Sequence, residues 1–319
     1  MGALTALLEP LVAPMLLFKL SVVIVWALMP TAWFWGGRWL GMDRLSALIF
    51  GLLILSVSDF RTFGLGMTSV TAMGLYTQSY GTLLLPLASG ALYRYLFDDR
   101  VGLRAPTLLF CTTLLSHAYF GLYLAIAGAV MVFVRRDGLF ARADRLTRVF
   151  VLSALITAFW LVPFVHYIEY QGGLPWRGES ENGYRVLELA RLAATGQLFD
   201  HGRLPWMSAL VALGLLLAWK RRGETLWRFA LFLFAVTIAL LLGRTTWGVL
   251  YDWIPLHTEL EVVRYINGVH FCGLLLAAPT CAVLLWRLAD WIETLPGPNW
   301  LSPRRTGVAV LLAAFGGYL

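Results

Sequence analysis

Arg264 stands directly before an apolar run, Ile266 to Trp286, in a stretch that also holds Asp252, His257, Glu259 and Glu261. An arginine so placed can hold a phosphate through two parallel N–H bonds, with Glu261 or Glu259 as the plainer alternative partner. His117 lies in Ser116-His117-Ala118-Tyr119, in the middle of an apolar run from Ala105 to Val134. It can contact a phosphate or take up a proton, or it can cap a turn. Asp59 and Arg61 follow one short apolar run, and His166 and Glu169 end another. Asp59 and Glu169 are acids near the outer interface, where polar groups at membrane depth suggest a functional role. Their bland alternatives are an interfacial pair with Arg61 and a solvated loop acid. Glu259 and Glu261 sit two apart and would diverge on a helix. They therefore read, with Arg61, His117, His166 and Arg264, as substrate contacts rather than a catalytic pair.

What must position these groups is a membrane architecture. The chain of 319 residues is 59% hydrophobic and 13% charged, with a mean hydropathy of +0.73. Those values exclude a soluble domain and a disordered chain, and they point to an all-α polytopic transmembrane bundle. The net charge of +7 comes from arginines in short loops between apolar runs, so it carries no nucleic-acid signal. Cys111, Cys272 and Cys281 lie inside apolar runs, without metal spacing. No P-loop, HExxH, GxSxG or CxxC pattern is present.

The run Ala105–Val134 is flanked by Arg100 and Arg104 before it and Arg135 and Arg136 after it. As one helix it would be about 45 Å long, against a bilayer core of about 30 Å. A helical hairpin, with both feet in the cytoplasm and its tip at Ser116-His117, is the simpler reading. With that hairpin, twelve basic residues after Val134 fall inside: Arg135, Arg136, Arg142, Arg145, Arg148, Lys220 to Arg222, Arg228, Arg287, Arg304 and Arg305. Six fall outside: Arg177, Arg185, Arg191, Arg203, Arg244 and Arg264. A single crossing would reverse the bias, so the positive-inside rule favours the hairpin. All five histidines then lie on the outer side.

About ten membrane segments are expected, in one transmembrane domain over residues 1–319, with outer loops at about 58–75, 171–205 and 244–266. Tyr184 to Phe199 has the spacing of an amphipathic helix lying along the membrane surface. The apolar run Gly307–Leu319 stops partway through a span, and Met1 begins beside another apolar run. The expectation is a fragment truncated at both ends.

Several stretches resemble a known group. KLSVVIVWALMPTAWFWGGRWLGMDRLSAL, YTQSYGTLLLPLASGALYRYL, LLSHAYFGLYLAIAGAV, AFWLVPFVHYIEY and the VVRYI segment before a span look like bacterial YfhO-type and 6-pyruvoyl-tetrahydropterin-synthase-related membrane proteins. Both are similar to the GT-C superfamily of membrane glycosyltransferases. The likeness covers roughly Leu17 to Leu285. It implies a GT-C-like enzyme of the bacterial inner membrane that takes a sugar from a polyprenyl-phosphate donor and transfers it on the outer face. Membrane lipid and that donor are the implied partners. An outer-loop carboxylate acts there as base or as ligand to a divalent metal ion, the one cofactor the resemblance leaves open. The superfamily's main catalytic acid sits in a first outer loop that would precede Met1, so Asp59 and Glu169 stand in by position alone. Pterin chemistry is not implied. A transporter or flippase for a lipid-linked or anionic substrate, and a non-catalytic envelope assembly protein, are the alternatives.

Overall fold

The computed structural model describes residues 13–60, 63–167, 170, 182–254, 257 and 261–293. Twelve α-helices follow one another among these residues: α1 (Pro14–Trp39), α2 (Arg44–Leu53), α3 (Thr68–Thr71), α4 (Tyr76–Phe97), α5 (Arg104–Ser116), α6 (Ala118–Phe133), α7 (Leu139–Ile156), α8 (Ala158–His166), α9 (Val186–Ala194), α10 (Trp206–Lys220), α11 (Thr225–Trp247) and α12 (Ile266–Glu293). Two 3-10 turns, Gly248–Trp253 and Val262–Tyr265, join α11 to α12. Among the described residues the only β-pairing is an isolated bridge between Phe60 and Phe63. The chain is an all-α helical bundle.

Among the described residues, three helical stretches are long and apolar enough to cross a membrane: Pro14–Trp39, Thr225–Trp253 and Val262–Trp291. A fourth results if α7 and α8, bent by 82° at Thr157, count as one span. This corrects the expectation of about ten segments. Several apolar runs that look like spans fold as helices too short to cross alone: α2 with 10 residues, α6 with 16 and α10 with 15. A run of apolar residues reports burial from water, and burial in protein meets that need as well as burial in lipid.

The hairpin is present. α5 ends and α6 begins at His117, whose extended backbone (φ −164°, ψ 116°) breaks the helix. A side chain at Gly121 would lie 3.1 Å from the Leu114 Cα, whereas seven residues along a straight helix are about 10 Å apart. Both feet sit at one end of the molecule. There Arg142 on α7 donates to the Val132 carbonyl in the last turn of α6 and to the Asp137 carbonyl beyond it, and Arg145 pairs with Asp99 after α4. Arg228 on α11 reaches the Val134 carbonyl at the same end.

α12 is the central helix, buried continuously from Ile266 to Thr280, and it packs on α2, α10 and α11. A second group, α4 to α7, forms around α4 and meets α12 through α11 and the 3-10 turn before α12. Lipid supplies no hydrophobic force between helices, so close van der Waals contact must hold them. Gly36 on α1 shows how: a Cβ there would come within 2.5 Å of the Pro86 backbone on α4.

Candidate functional site

The end of the bundle opposite the arginine-rich feet is tied together by two buried polar groups. Asp59 is 3% exposed, and its carboxylate accepts from the backbone N–H of Gly66 at 2.7 Å and of Ser69 at 2.6 Å. It thereby folds the loop before α4 onto itself. Burial pushes this carboxyl above the usual range despite those bonds. Gly64, at φ +150°, lies against both the Asp59 carboxylate and the His270 ring, and any side chain there would come within 2.7 Å of each. His270 on α12 receives the Leu65 N–H at its Nδ1 and meets the Leu198 carbonyl through Nε2 at 2.7 Å. That pattern fixes the Nε2–H tautomer and links two loops through one ring. Gln78 on α4 completes the tie by donating to the Gly64 carbonyl and to Ser69 Oγ.

Beside this tie the same loop supplies one wall of a second cluster. The guanidinium of Arg264 is 4.9 Å from the Phe63 ring centroid and 5.1 Å from that of Tyr119. Its Nε donates to Glu261 Oε2 at 2.5 Å, and the two side chains are only 18% and 17% exposed. Among the described residues, its remaining N–H groups have no partner. The 3-10 turn that carries Arg264 is fastened to α6 at two points. The Tyr119 hydroxyl accepts from the Glu261 N–H at 2.8 Å, and the Tyr123 hydroxyl donates to the Arg264 carbonyl. His117 sits at the break before α6, within electrostatic reach of Arg264. Burial, reinforced by that guanidinium, holds its imidazole down to about 4. Its Nδ1 is buried and makes no hydrogen bond within the described residues.

Tyr119 of this cluster and the adjacent Tyr265 also line an apolar cavity of about 1130 Å³. α6 contributes a helical stripe from Tyr119 through Leu122, Ala125, Ile126 and Ala129 to Phe133. At 1.5 Å per residue that stripe is about 20 Å long. Trp160, Leu161 and Phe164 of α8 line the facing side, and Phe232 to Leu240 of α11 closes it, with Tyr265 at the polar end. Small residues on α6 create the space, and the 82° bend at Thr157 swings α8 across it. The Thr157 hydroxyl bonds back to the Ser153 carbonyl at 2.7 Å, a contact that bends helices.

His117, Glu261 and Arg264 therefore lie near one another, and the ion-pair alternative for Arg264 is realised with Glu261. Asp59 is adjacent but engaged in its own loop. His166 is exposed at the end of α8, with its ring 4.7 Å from Tyr167. Arg61, Glu169 and Glu259 lie outside the described residues. Among the described residues no three His, Cys, Asp or Glu side chains gather to hold a metal ion. Sequence reasoning missed Phe63, Tyr123 and Tyr265, and it noticed Tyr119 only as a neighbour of His117. Their one signal is a run of aromatics on both sides of chain breaks. No family model matches the chain, and no curated protein or solved structure matches it.

Proposed function

We propose that this is an integral membrane protein that receives a single-chain lipid phosphate, of the polyprenyl-phosphate kind, with its tail in the cavity and its headgroup at Arg264. The observation that carries the reading is that Tyr119 both lines an apolar slot about 20 Å long and stacks on the partly buried guanidinium of Arg264, which also lies against Phe63. An apolar wall selects a chain. A planar fork with N–H groups to spare selects a phosphate. A hydrocarbon without a headgroup would leave the arginine unused, and a water-soluble phosphate would leave the slot unused.

Glycosyl transfer on the outer face of a bacterial inner membrane, from a sugar carried by such a lipid, is the activity we attach to this site. It rests on the resemblance of the quoted stretches to the GT-C superfamily. Within the cluster, Glu261 is the carboxylate placed to meet an acceptor hydroxyl. Asp59 already accepts two backbone hydrogen bonds away from the slot.

A transporter or flippase is the second reading, favoured by one observation. Helices break at both sides of the site, at His117 and at Gly243, where φ is +56° inside α11. Broken helices beside a ligand site are a transporter trait.

Native mass spectrometry of the protein extracted in mild detergent tests the binding step. A bound lipid phosphate is expected on the wild type, and it should be absent from Arg264→Ala. Retention by Arg264→Ala, or no lipid phosphate on either protein after incubation with hexadecyl phosphate, overturns the reading.

A further inference from the structure

Arg264 does not stand alone in its cage. Glu261 holds its Nε at 2.5 Å, three residues back on the same turn, in surroundings where both side chains are largely shielded. The pair is formally neutral. A phosphate arriving at the remaining N–H groups meets a carboxylate on the far side of the same guanidinium. At an effective dielectric near 20, a like charge about 5 Å away opposes binding by roughly two powers of ten. Among the described residues no second cation contacts Glu261 to offset this.

The turn does not need the ion pair to keep its place. Tyr119 holds the Glu261 N–H and Tyr123 holds the Arg264 carbonyl, so the backbone is fixed independently of the carboxylate. The Glu261 side chain can leave the guanidinium while the turn stays docked on α6.

Building on the lipid-phosphate reading above, we propose that Glu261 is a built-in competitor for the anion. It occupies Arg264 in the empty protein and must release the guanidinium before a phosphate headgroup is held there. The carboxylate is thereby freed only when ligand is present. An empty site keeps its cation neutralised and admits stray anions poorly.

The test compares wild type, Glu261→Gln, Glu261→Asp and Arg264→Ala, titrated with hexadecyl phosphate and with inorganic phosphate in one detergent. Glu261→Gln should bind hexadecyl phosphate at least tenfold more tightly than wild type. Glu261→Asp, which keeps the charge but loses a methylene of reach, should fall between the two. Arg264→Ala should bind at least tenfold more weakly. Tightening of inorganic phosphate to the same degree assigns the effect to the phosphate alone, and tightening confined to hexadecyl phosphate assigns it to a headgroup placed by its tail; both support the competitor. Wild-type binding that Glu261→Gln leaves unchanged or weakens overturns the competitor while leaving the lipid-phosphate reading intact. Should Glu261→Gln fail to fold, an unchanged or weaker affinity in Glu261→Asp overturns it equally. Binding indifferent to Arg264→Ala, or absent throughout, overturns the lipid-phosphate reading itself.

Discussion

The Tyr119 hydroxyl accepts the backbone N–H of Glu261 at 2.8 Å, joining α6 to a turn 142 positions later in the chain. Through its ring the same tyrosine is one face of the Arg264 cage. One residue thus sets both where the turn sits and how the guanidinium is presented. Tyr119→Phe removes the hydroxyl and keeps the ring. A single hydrogen bond of this kind contributes about 1 kcal/mol, so we expect a small fall in thermal midpoint and a three- to tenfold loss of hexadecyl phosphate affinity. Tyr119→Leu, which removes the ring too, should lose clearly more. Equal losses in the two variants would leave the stacking without a role.

Asp59 is a test of structure against chemistry. Asp59→Asn leaves one oxygen where two accept backbone N–H groups and places an amide against a donor. We expect a loss of about 1–3 kcal/mol in stability. Ligand affinity measured well below the unfolding midpoint should be unchanged. A variant as stable as wild type that has lost activity would instead restore Asp59 as a catalytic group.

Ala125 lines the slot on the middle of α6. Ala125→Trp projects an indole into space that the tail would occupy. Binding of hexadecyl phosphate should fall at least tenfold while the thermal midpoint stays within a few degrees of wild type. Undiminished binding would move the tail out of this cavity.

His117 predicts an acid limb. Its imidazole titrates near 4 in the folded protein and near 6.5 when unfolded. Between those values the unfolded chain takes up a proton that the folded one refuses, so stability falls as pH drops from about 6.5 towards 4 and this contribution is fully present above that window. Thermal unfolding across pH 4 to 8 should show that slope, and it should flatten in His117→Asn. An unchanged slope in the variant would assign the acid limb to other groups.

The helices were legible wherever one helix meets one environment. α4 covers Tyr76 to Phe97, a stretch with no charged residue before Arg94. The hairpin and its turn at His117 followed from the arginines at both feet. The bend at Thr157 was not legible, because Ala158 to Pro163 reads as a smooth apolar continuation and the back-bond of Thr157 to the Ser153 carbonyl has no sequence mark of its own. Expecting about ten spans failed for a related reason, since α2, α6 and α10 are as apolar as spans yet too short to be ones. Arg264 and His117 stood out by residue type, because a charged or titratable group in an apolar setting is conspicuous. Tyr123 escaped because its partner is 141 positions away, and nothing local in a tyrosine reveals which carbonyl it will meet.

The 82° bend at Thr157 leaves α8 lying across the slot with Phe159, Val162 and Val165 turned outward and exposed. In a bilayer such a wall would border acyl chains rather than water. On the lipid-phosphate proposal, a ligand reaching Arg264 past it would arrive sideways, by diffusion in two dimensions, already partitioned into the bilayer. Occupancy is then governed by the mole fraction of the lipid phosphate among its neighbours and hardly at all by its aqueous concentration. In nanodiscs, half-saturation should stay at one mole fraction when the total lipid is changed severalfold.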